Sequence, residues 1–190
     1  MVTAYADESM RTLDGESVYL LGATVFRGDD CQLDALVGLK TNGAKKLHWR
    51  ELGRVVQAKV MRAVSSLTAI TTVVIGVPMN PRKQERARRK CLESLIYFLV
   101  DDGIQELVLE ARGPALDKRD IQLVDTLKSR GYARNLTVRH RNGADDPRLW
   151  VPDQVLGAFG DRLCAQDFDS EWEEAWHDLE RVTRFEVIDL

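Results

Sequence analysis

Cysteine is scarce in this chain of 190 residues: Cys31, Cys91 and Cys164 stand far apart, with no Cys-x-x-Cys pair. An odd count at that spacing argues against a disulfide framework and against a structural zinc site. Cys91 and Cys164 fall in apolar periodic segments and read as small core residues. Long apolar runs are missing as well; none approaches the ~18 residues that a membrane span needs. The opening Met-Val-Thr-Ala-Tyr-Ala-Asp-Glu has no basic start and no apolar stretch. No secretory leader is therefore expected, and a reduced, cytoplasmic setting is. Positive charge is not in excess: 27 Lys and Arg against 30 Asp and Glu leave a net −3. Binding of a polyanion then has to come from a local patch. No internal repeat or low-complexity linker is visible. The composition is 44% hydrophobic and 30% charged, the balance of a folded domain rather than a disordered chain.

Residues 2–6 read as a short strand cut off by Asp7-Glu8-Ser9. Leu13-Asp14-Gly15 is a turn signal, and residues 17–26 are a second strand, pairing antiparallel with the first across a longish loop. Asp29 or Asp30 caps a helix with Leu33, Leu36 and Val37 as its apolar positions. Residues 40–46 are a polar loop, followed by His48-Trp49-Arg50-Glu51-Leu52 and a helical pattern through Val55, Val56, Val60 and Val64. Residues 69–77 form the clearest strand. A long helix over 82–100 turns Cys91, Leu92, Leu95, Ile96, Phe98 and Leu99 inward. A buried strand over 104–109 stops at Glu110. Helices over 117–130 and 149–163 flank a strand at 135–139, and 181–188 reads as a last strand. This order predicts an α/β fold: a mixed five-stranded sheet, three antiparallel strands and then parallel β-α-β units, flanked by helices. Residues 1–165 form the domain. The acidic 166–190 are an extension packed on it or on a partner.

Two carboxylates end apolar strands. Residues two apart on a strand share a face, so Tyr5 goes with Asp7 and Val108 with Glu110. If the first and fourth strands are parallel neighbours, the two acids lie side by side at the carboxyl edge, where open α/β sheets place their sites. Carboxylates that close require a shared proton or a cation. Asp153 is the third candidate. It lies on one helical stripe with Gly157 and Gly160, and glycines there let the helix approach the sheet closely. Three acids from two strand ends and a helix suit a hard divalent ion, Mg²⁺ or Mn²⁺. Acids at strand ends also commonly cap loops or face water.

The start of the long helix carries Arg82, Lys83, Arg86, Arg88, Arg89 and Lys90 against one acid, Glu85. A helix N-terminus disfavours positive charge, so this run reads as a phosphate-backbone groove, with a solvated face as the plainer reading. Arg112, two residues past Glu110, holds a phosphate or pairs an acid. Asp117 and Asp120 read as solvated residues at a helix start, and His140 and His177 as structural. Residues 169–180 hold six acids and no Lys or Arg. Trp172 and Trp176 share a helical face there, a docking surface for the domain or for a second chain, such as a homodimer partner or another protein.

Tyr5-Ala6-Asp7-Glu8-Ser9, Leu47-His48-Trp49-Arg50-Glu51-Leu52 and residues 149–158, Leu-Trp-Val-Pro-Asp-Gln-Val-Leu-Gly-Ala, together resemble the signature blocks of the domain of unknown function family 3800. Residues 107–112, with Asp117 and Asp120 after them, are similar to the version found in some bacterial members. The likeness spans about residues 2–165. That family resembles the ribonuclease H-like superfold, so the resemblance implies metal-assisted phosphodiester cleavage. Asp7, Glu110 and Asp153 would then be the metal-holding acids, and DNA or RNA the substrate. Family members usually carry glycine after the Asp-Glu-Ser; Met10 stands here instead. An acid on the first crossover helix is also common in such enzymes, and Glu93 is available. His48 reads as a metal neighbour or proton shuttle, or as a loop histidine packed on Trp49. Glu8 points to the opposite strand face unless the strand ends at Asp7, and Glu51 assists proton transfer. Two rivals remain: a non-catalytic protein-binding module of a mobile-element or toxin-linked system, and a hydrolase of a small phosphorylated substrate.

Overall fold

The computed structural model of the chain describes residues 1–13, 15–27, 33–41, 43–165 and 167–190. Asp14 of the turn signal, the cap at Asp29 or Asp30, and Cys31 lie outside the described residues.

The first strand is longer than its composition suggests. β1 (Thr3–Leu13) runs straight through Asp7-Glu8-Ser9 because its residues from Ala4 onward have partners on β2 (Glu16–Phe26). Asp7 stands opposite Gly22, Met10 opposite Tyr19 and Leu13 opposite Glu16. Continuous cross-strand pairing overrides the weak strand preference of Asp and Glu. Pairing reaches Leu13 and Glu16, so the strands extend into the stretch expected as a longish loop. β3 (Ala69–Met79), rich in β-branched residues, pairs antiparallel with β2. β4 (Glu106–Glu110) runs parallel to β1, and β5 (Thr137–Arg141) parallel to β4. The last strand, β6 (Thr183–Asp189), joins β3 in parallel and gives the order β5-β4-β1-β2-β3-β6. The sheet is mixed as expected but has six strands rather than five. β6 covers an edge of β3 that would otherwise expose a row of unpaired backbone groups.

Helices cover both faces. α1 (Asp34–Gly38), α2 (Arg54–Ser65), α5 (Trp150–Cys164) and α6 (Ser170–Arg181) share one core with Val18, Leu20, Val73 and Ile75 of the sheet. α3 (Gln84–Asp101) and α4 (Pro114–Ser129) cover the other face over Ala4, Ala6, Leu21, Leu107 and Leu109. Cys91 is buried there as expected, and burial pushes its thiol up to about 12. Two expectations about side chains fail. Phe98 lies at the margin of the α3 stripe and is exposed. Cys164, in the last turn of α5, is exposed with its Sγ 3.5 Å from the Thr12 carbonyl.

Trp172 and Trp176 are fully used inside the chain. Their rings stack on each other, and Trp172 stacks on Phe168 and Trp176 on Phe159. They are 0% and 4% exposed, so of the two expected alternatives the pair takes the first and packs on the domain rather than on a second chain. Among the described residues no helix is long and apolar enough to cross a membrane.

Candidate active site

The strand registers bring the acids together. Thr3 to Ala6 pair with Glu106 to Leu109, so the next residues along, Asp7 and Glu110, continue side by side past the last paired position. Tyr5 and Val108, two residues earlier on each strand, pack together with Leu149 on the face that α5 covers. This is the shared face that alternation along the strands implies. Asp153, in the first turn of α5, reaches the same place from above.

What holds α5 in position is the segment before α2. The carboxylate of Asp153 accepts the backbone N–H of Trp49 and, at 3.1 Å, the Gln154 amide. Gln154 also donates to the Leu47 carbonyl at 3.0 Å, and Trp49 Nε1 donates to Asp161 at 2.8 Å. The glycine stripe explains the fit in a different way from the one expected. A methyl group on Gly157 would lie 2.2 Å from Trp49 Cγ, so this glycine admits the tryptophan rather than the sheet. Gly160 does face β1, where a methyl would meet Arg11 Nε at 2.3 Å.

The residue that the sequence did not reveal is Lys46, one of the polar loop residues. Its ammonium hydrogen-bonds Glu110 and lies 3.5 Å from Asp7, with 9% of the side chain exposed. Burial opposes its charge, but the attraction of Asp7, Asp153 and Glu110 outweighs that, and its pKa is raised. Asp7 is pushed well above the usual carboxylate range, first by burial and then by Asp153 and Glu110, against the pull of Lys46. Asp153 is also raised, by burial first and by Glu110, with Lys46 and His48 opposing. Fully ionised, the three acids and Lys46 leave two uncompensated negative charges in a place that disfavours them. Among the described residues no three of His, Cys, Asp and Glu stand close enough to hold one ion as they are; the lysine lies among the acids instead.

Glu8 points to the opposite face, as alternation requires, and belongs to a second network. Arg88, 3% exposed, bonds Glu8 at 2.6 Å and Asp120 at 2.7 Å. Arg112 reaches Glu85 at 2.7 Å, Asp120 at 3.4 Å and Glu8 at 3.7 Å, while its Nε is buried with no hydrogen-bond partner. Asp120 is not a solvated helix residue. It is buried and bonded to His140 at 3.0 Å. Burial alone would raise it, but hydrogen bonds from His140 and Arg88 and the charges of Arg88 and Arg112 bring it down to about 2. Asp117 accepts the Arg112 backbone N–H at 2.9 Å and so pins the loop that follows Glu110. Glu93 stays apart from the acids, accepting from the Tyr97 hydroxyl at 3.3 Å.

Two adjoining clefts open at the acids. Asp7, Glu8, Lys46, Arg88, Glu110 and Arg112 line one of about 210 Å³. Ser9, Arg11, His48, Arg50, Glu51 and Asp153 line the other, of about 420 Å³. His48 and Glu51 are exposed at its rim, while Trp49 between them is buried. Of the basic run on α3, Arg82, Lys83, Arg86 and Arg89 are exposed. Lys90 donates to the Asp189 carbonyl at 3.0 Å, and Arg88 is withdrawn into the second network.

No family model and no curated protein matches the chain. Among solved structures it is similar to the ribonuclease HII chain of the PCNA:RNase HII complex from Archaeoglobus fulgidus, with a TM-score of 0.53. The likeness covers 84% of this chain and 72% of that one at 9% identity. The fold is ribonuclease H-like. At that identity the likeness speaks for architecture alone, and function has to be argued from the site.

Proposed function

We propose that the protein is a divalent-metal-dependent nuclease that hydrolyses phosphodiester bonds of DNA or RNA. One observation carries the reading: Asp7 of β1 and Glu110 of β4 meet one buried ammonium, Lys46, at the carboxyl edge of a ribonuclease H-like sheet, and Asp153 of α5 is near enough for its charge to be felt there. The resemblance to family 3800 rests on the same segments. The donor set suits a hard cation, being all carboxylate oxygen, mostly buried, and carrying more negative charge than Lys46 cancels. The Lys46 ammonium is the stand-in for that ion. Asp7, Glu110 and Asp153 would hold the metal, Mg²⁺ or Mn²⁺, which supplies positive charge and an acidified water beside the phosphorus.

The chain's own groups do the rest. Arg11 and Arg50, on the wall of the larger cleft, both approach the Met10 carbonyl, at 3.1 and 3.4 Å, and present guanidinium groups to a phosphate backbone. The exposed Arg82, Lys83, Arg86 and Arg89 add positive charge at the start of α3 for the same backbone. His48 and Glu51 stand at the rim beside Asp153, where a proton passes to the leaving oxygen. Trp49, 2% exposed, fills the space against Gly157 beneath the larger cleft.

The test is a panel of single- and double-stranded DNA, RNA and hybrid oligonucleotides with Mg²⁺, Mn²⁺ or EDTA, run on the wild type and Asp153→Asn. Cleavage that needs the metal and falls at least a hundredfold in the variant supports the reading. Cleavage that survives both chelation and the substitution rejects it. Turnover of mononucleotides alone points to the small-substrate hydrolase instead.

A further inference from the structure

We infer that Arg11 and Arg50 together form one subsite for a single phosphate group, set apart from the acids, so that the substrate is a chain carrying at least two phosphates. The inference rests on the nuclease reading above and deepens it by assigning where a second phosphate is held. Strand parity builds the subsite. Val2 turns its carbonyl toward β4, where Gln105 donates to it at 3.0 Å. Carbonyls alternate in direction along a strand, and the β1–β2 register runs without a break from Ala4 to Leu13, so Met10 turns the same way as Val2. Pairing with β4 ends at Ala6, so the Met10 carbonyl faces an edge with no strand beside it. Two guanidinium groups meet there: Arg11 Nη1 donates to this carbonyl at 3.1 Å and Arg50 Nη2 at 3.4 Å. Two nitrogens on one oxygen stand close enough for a tetrahedral phosphate to bridge them, one of its oxygens on each.

Both groups are poorly neutralised. The Arg11 side chain is 10% exposed, yet its nearest carboxylate, Asp161, lies at 3.9 Å and is engaged by Trp49 at 2.8 Å. Arg50 makes no ion pair among the described residues. Gly160 makes the room for Arg11, since a methyl there would lie 2.3 Å from its Nε, and Ser9 Oγ accepts from Arg11 Nη1 at 2.7 Å. The guanidinium is thus held in the cleft wall rather than free to turn to solvent. Burial first, and the charge of Arg50 after it, hold Arg11 below its ordinary value, against the pull of Asp161. Like charges kept together in this way are relieved by an anion between them. The acids of the same cleft do not fill that role: Glu8 is taken by Arg88 at 2.6 Å, Asp153 by Trp49 and Gln154, and Glu51 is exposed at the rim. Distance sets the substrate class. Met10 is three residues past Asp7, about 10 Å along an extended strand. One phosphate cannot touch both ends, and a diphosphate falls short. A nucleic-acid strand spans them, with its reacting phosphate at the acids and a phosphate a nucleotide or two along at the arginines, in the cleft of about 420 Å³.

The test is the salt dependence of binding, read in EDTA so that neither metal nor cleavage enters. Fluorescein-labelled single-stranded DNA and RNA dodecamers are titrated with the protein across a series of KCl concentrations, and anisotropy is followed for the wild type, Arg11→Gln, Arg50→Gln and the double variant. Each single variant should weaken binding at least fivefold. The double variant should stay within about twofold of the weaker single one and lower the slope of log K against log salt by about 0.7, the value of one phosphate on a single strand. A slope lowered about twice as far would mean two separate phosphates and would overturn the inference. Arg50→Gln binding as tightly as wild type would overturn it as well, and metal-dependent cleavage in the panel above would then leave the nuclease reading standing. Turnover of mononucleotides as fast as oligonucleotides would also overturn it. A wild type that binds neither strand and cleaves nothing would remove the nuclease reading and this inference together. Should Arg11→Gln not fold, the exposed Arg50 still decides: a fivefold loss in Arg50→Gln supports the subsite and wild-type affinity rejects it.

Discussion

Replacing Gly157 by alanine tests how the site is held together, because two effects of opposite sign compete there. Alanine is the better helix former by about 1 kcal/mol in a helix interior, so an open position on α5 would gain stability. Gly157 is not open. The added methyl would lie 2.2 Å from Trp49 Cγ and 2.5 Å from both Cβ and Cδ1. These atoms are the root of the side chain, not its flexible end. Trp49 would have to retreat by roughly 1.3–1.8 Å to reach ordinary carbon–carbon separation. It is 2% exposed and bonded to Asp161 at 2.8 Å, so the retreat strains packing and breaks a hydrogen bond. Overpacking of this kind costs about 1–3 kcal/mol, and the lost hydrogen bond about 1 kcal/mol more. The clash wins: Gly157→Ala should destabilise the protein by about 2 kcal/mol net, a fall in Tm of roughly 4–8 °C at this chain length. Urea unfolding and calorimetry measure it. Gly160→Ala is the control, since it meets the outer part of the long Arg11 side chain rather than the root of a ring, and it should stay within about 1 kcal/mol of wild type. In a Trp49→Ala background Gly157→Ala should turn neutral or stabilising. A Gly157→Ala protein as stable as wild type would refute the claim that Trp49 is locked against α5.

Asp7→Asn in EDTA should stabilise the protein, by about 0.5–2 kcal/mol as is common when a strained functional group is relieved. The raised pKa of Asp7 means that its contribution is fully present below the ordinary carboxylate range and is lost as pH rises through the raised value. The variant's advantage in urea should therefore grow towards neutral pH and vanish in acid. Asp120 behaves in the opposite sense. Held at about 2, it contributes stability above pH 4 that is lost as pH falls towards 2. Asp120→Asn should cost about 3 kcal/mol at pH 7, towards the low end for breaking a buried pair because Arg88 keeps Glu8; an unchanged urea midpoint would contradict the network. Changing Arg82, Lys83, Arg86 and Arg89 together to Gln should weaken oligonucleotide binding and flatten its salt dependence by about 0.7–0.9 per lost phosphate contact. An unaltered slope in a filter-binding series would show that this run faces only water.

The sequence made the strand faces legible. Alternation put Asp7 with Tyr5 and Glu110 with Val108, and parallel pairing then made the two acids neighbours. The glycines on α5 signalled a close approach, though not what approaches. Where composition misled, pairing or packing decided. Asp7-Glu8-Ser9 looks like a strand end, but β2 offers a partner at each position, so β1 continues. Asp120 looks solvated because a charged helix residue usually is; it is buried because Arg88, Arg112 and His140 arrive from three other parts of the chain. Lys46 had no pattern to betray it. A lysine in a polar loop has no periodicity, and its place among the acids is set by Trp49 and Gln154 anchoring the residues that follow. The tryptophans of α6 announced a docking face, and β6 closing the sheet beside them is what turned that face inward.

The most direct measurement is diffraction from crystals grown with Mn²⁺, with anomalous data collected at the manganese edge. The account predicts an anomalous peak within coordinating distance of the carboxylates of Asp7, Glu110 and Asp153. Crystals that diffract well but show no such peak at the acids, or show manganese only elsewhere on the protein, would contradict it.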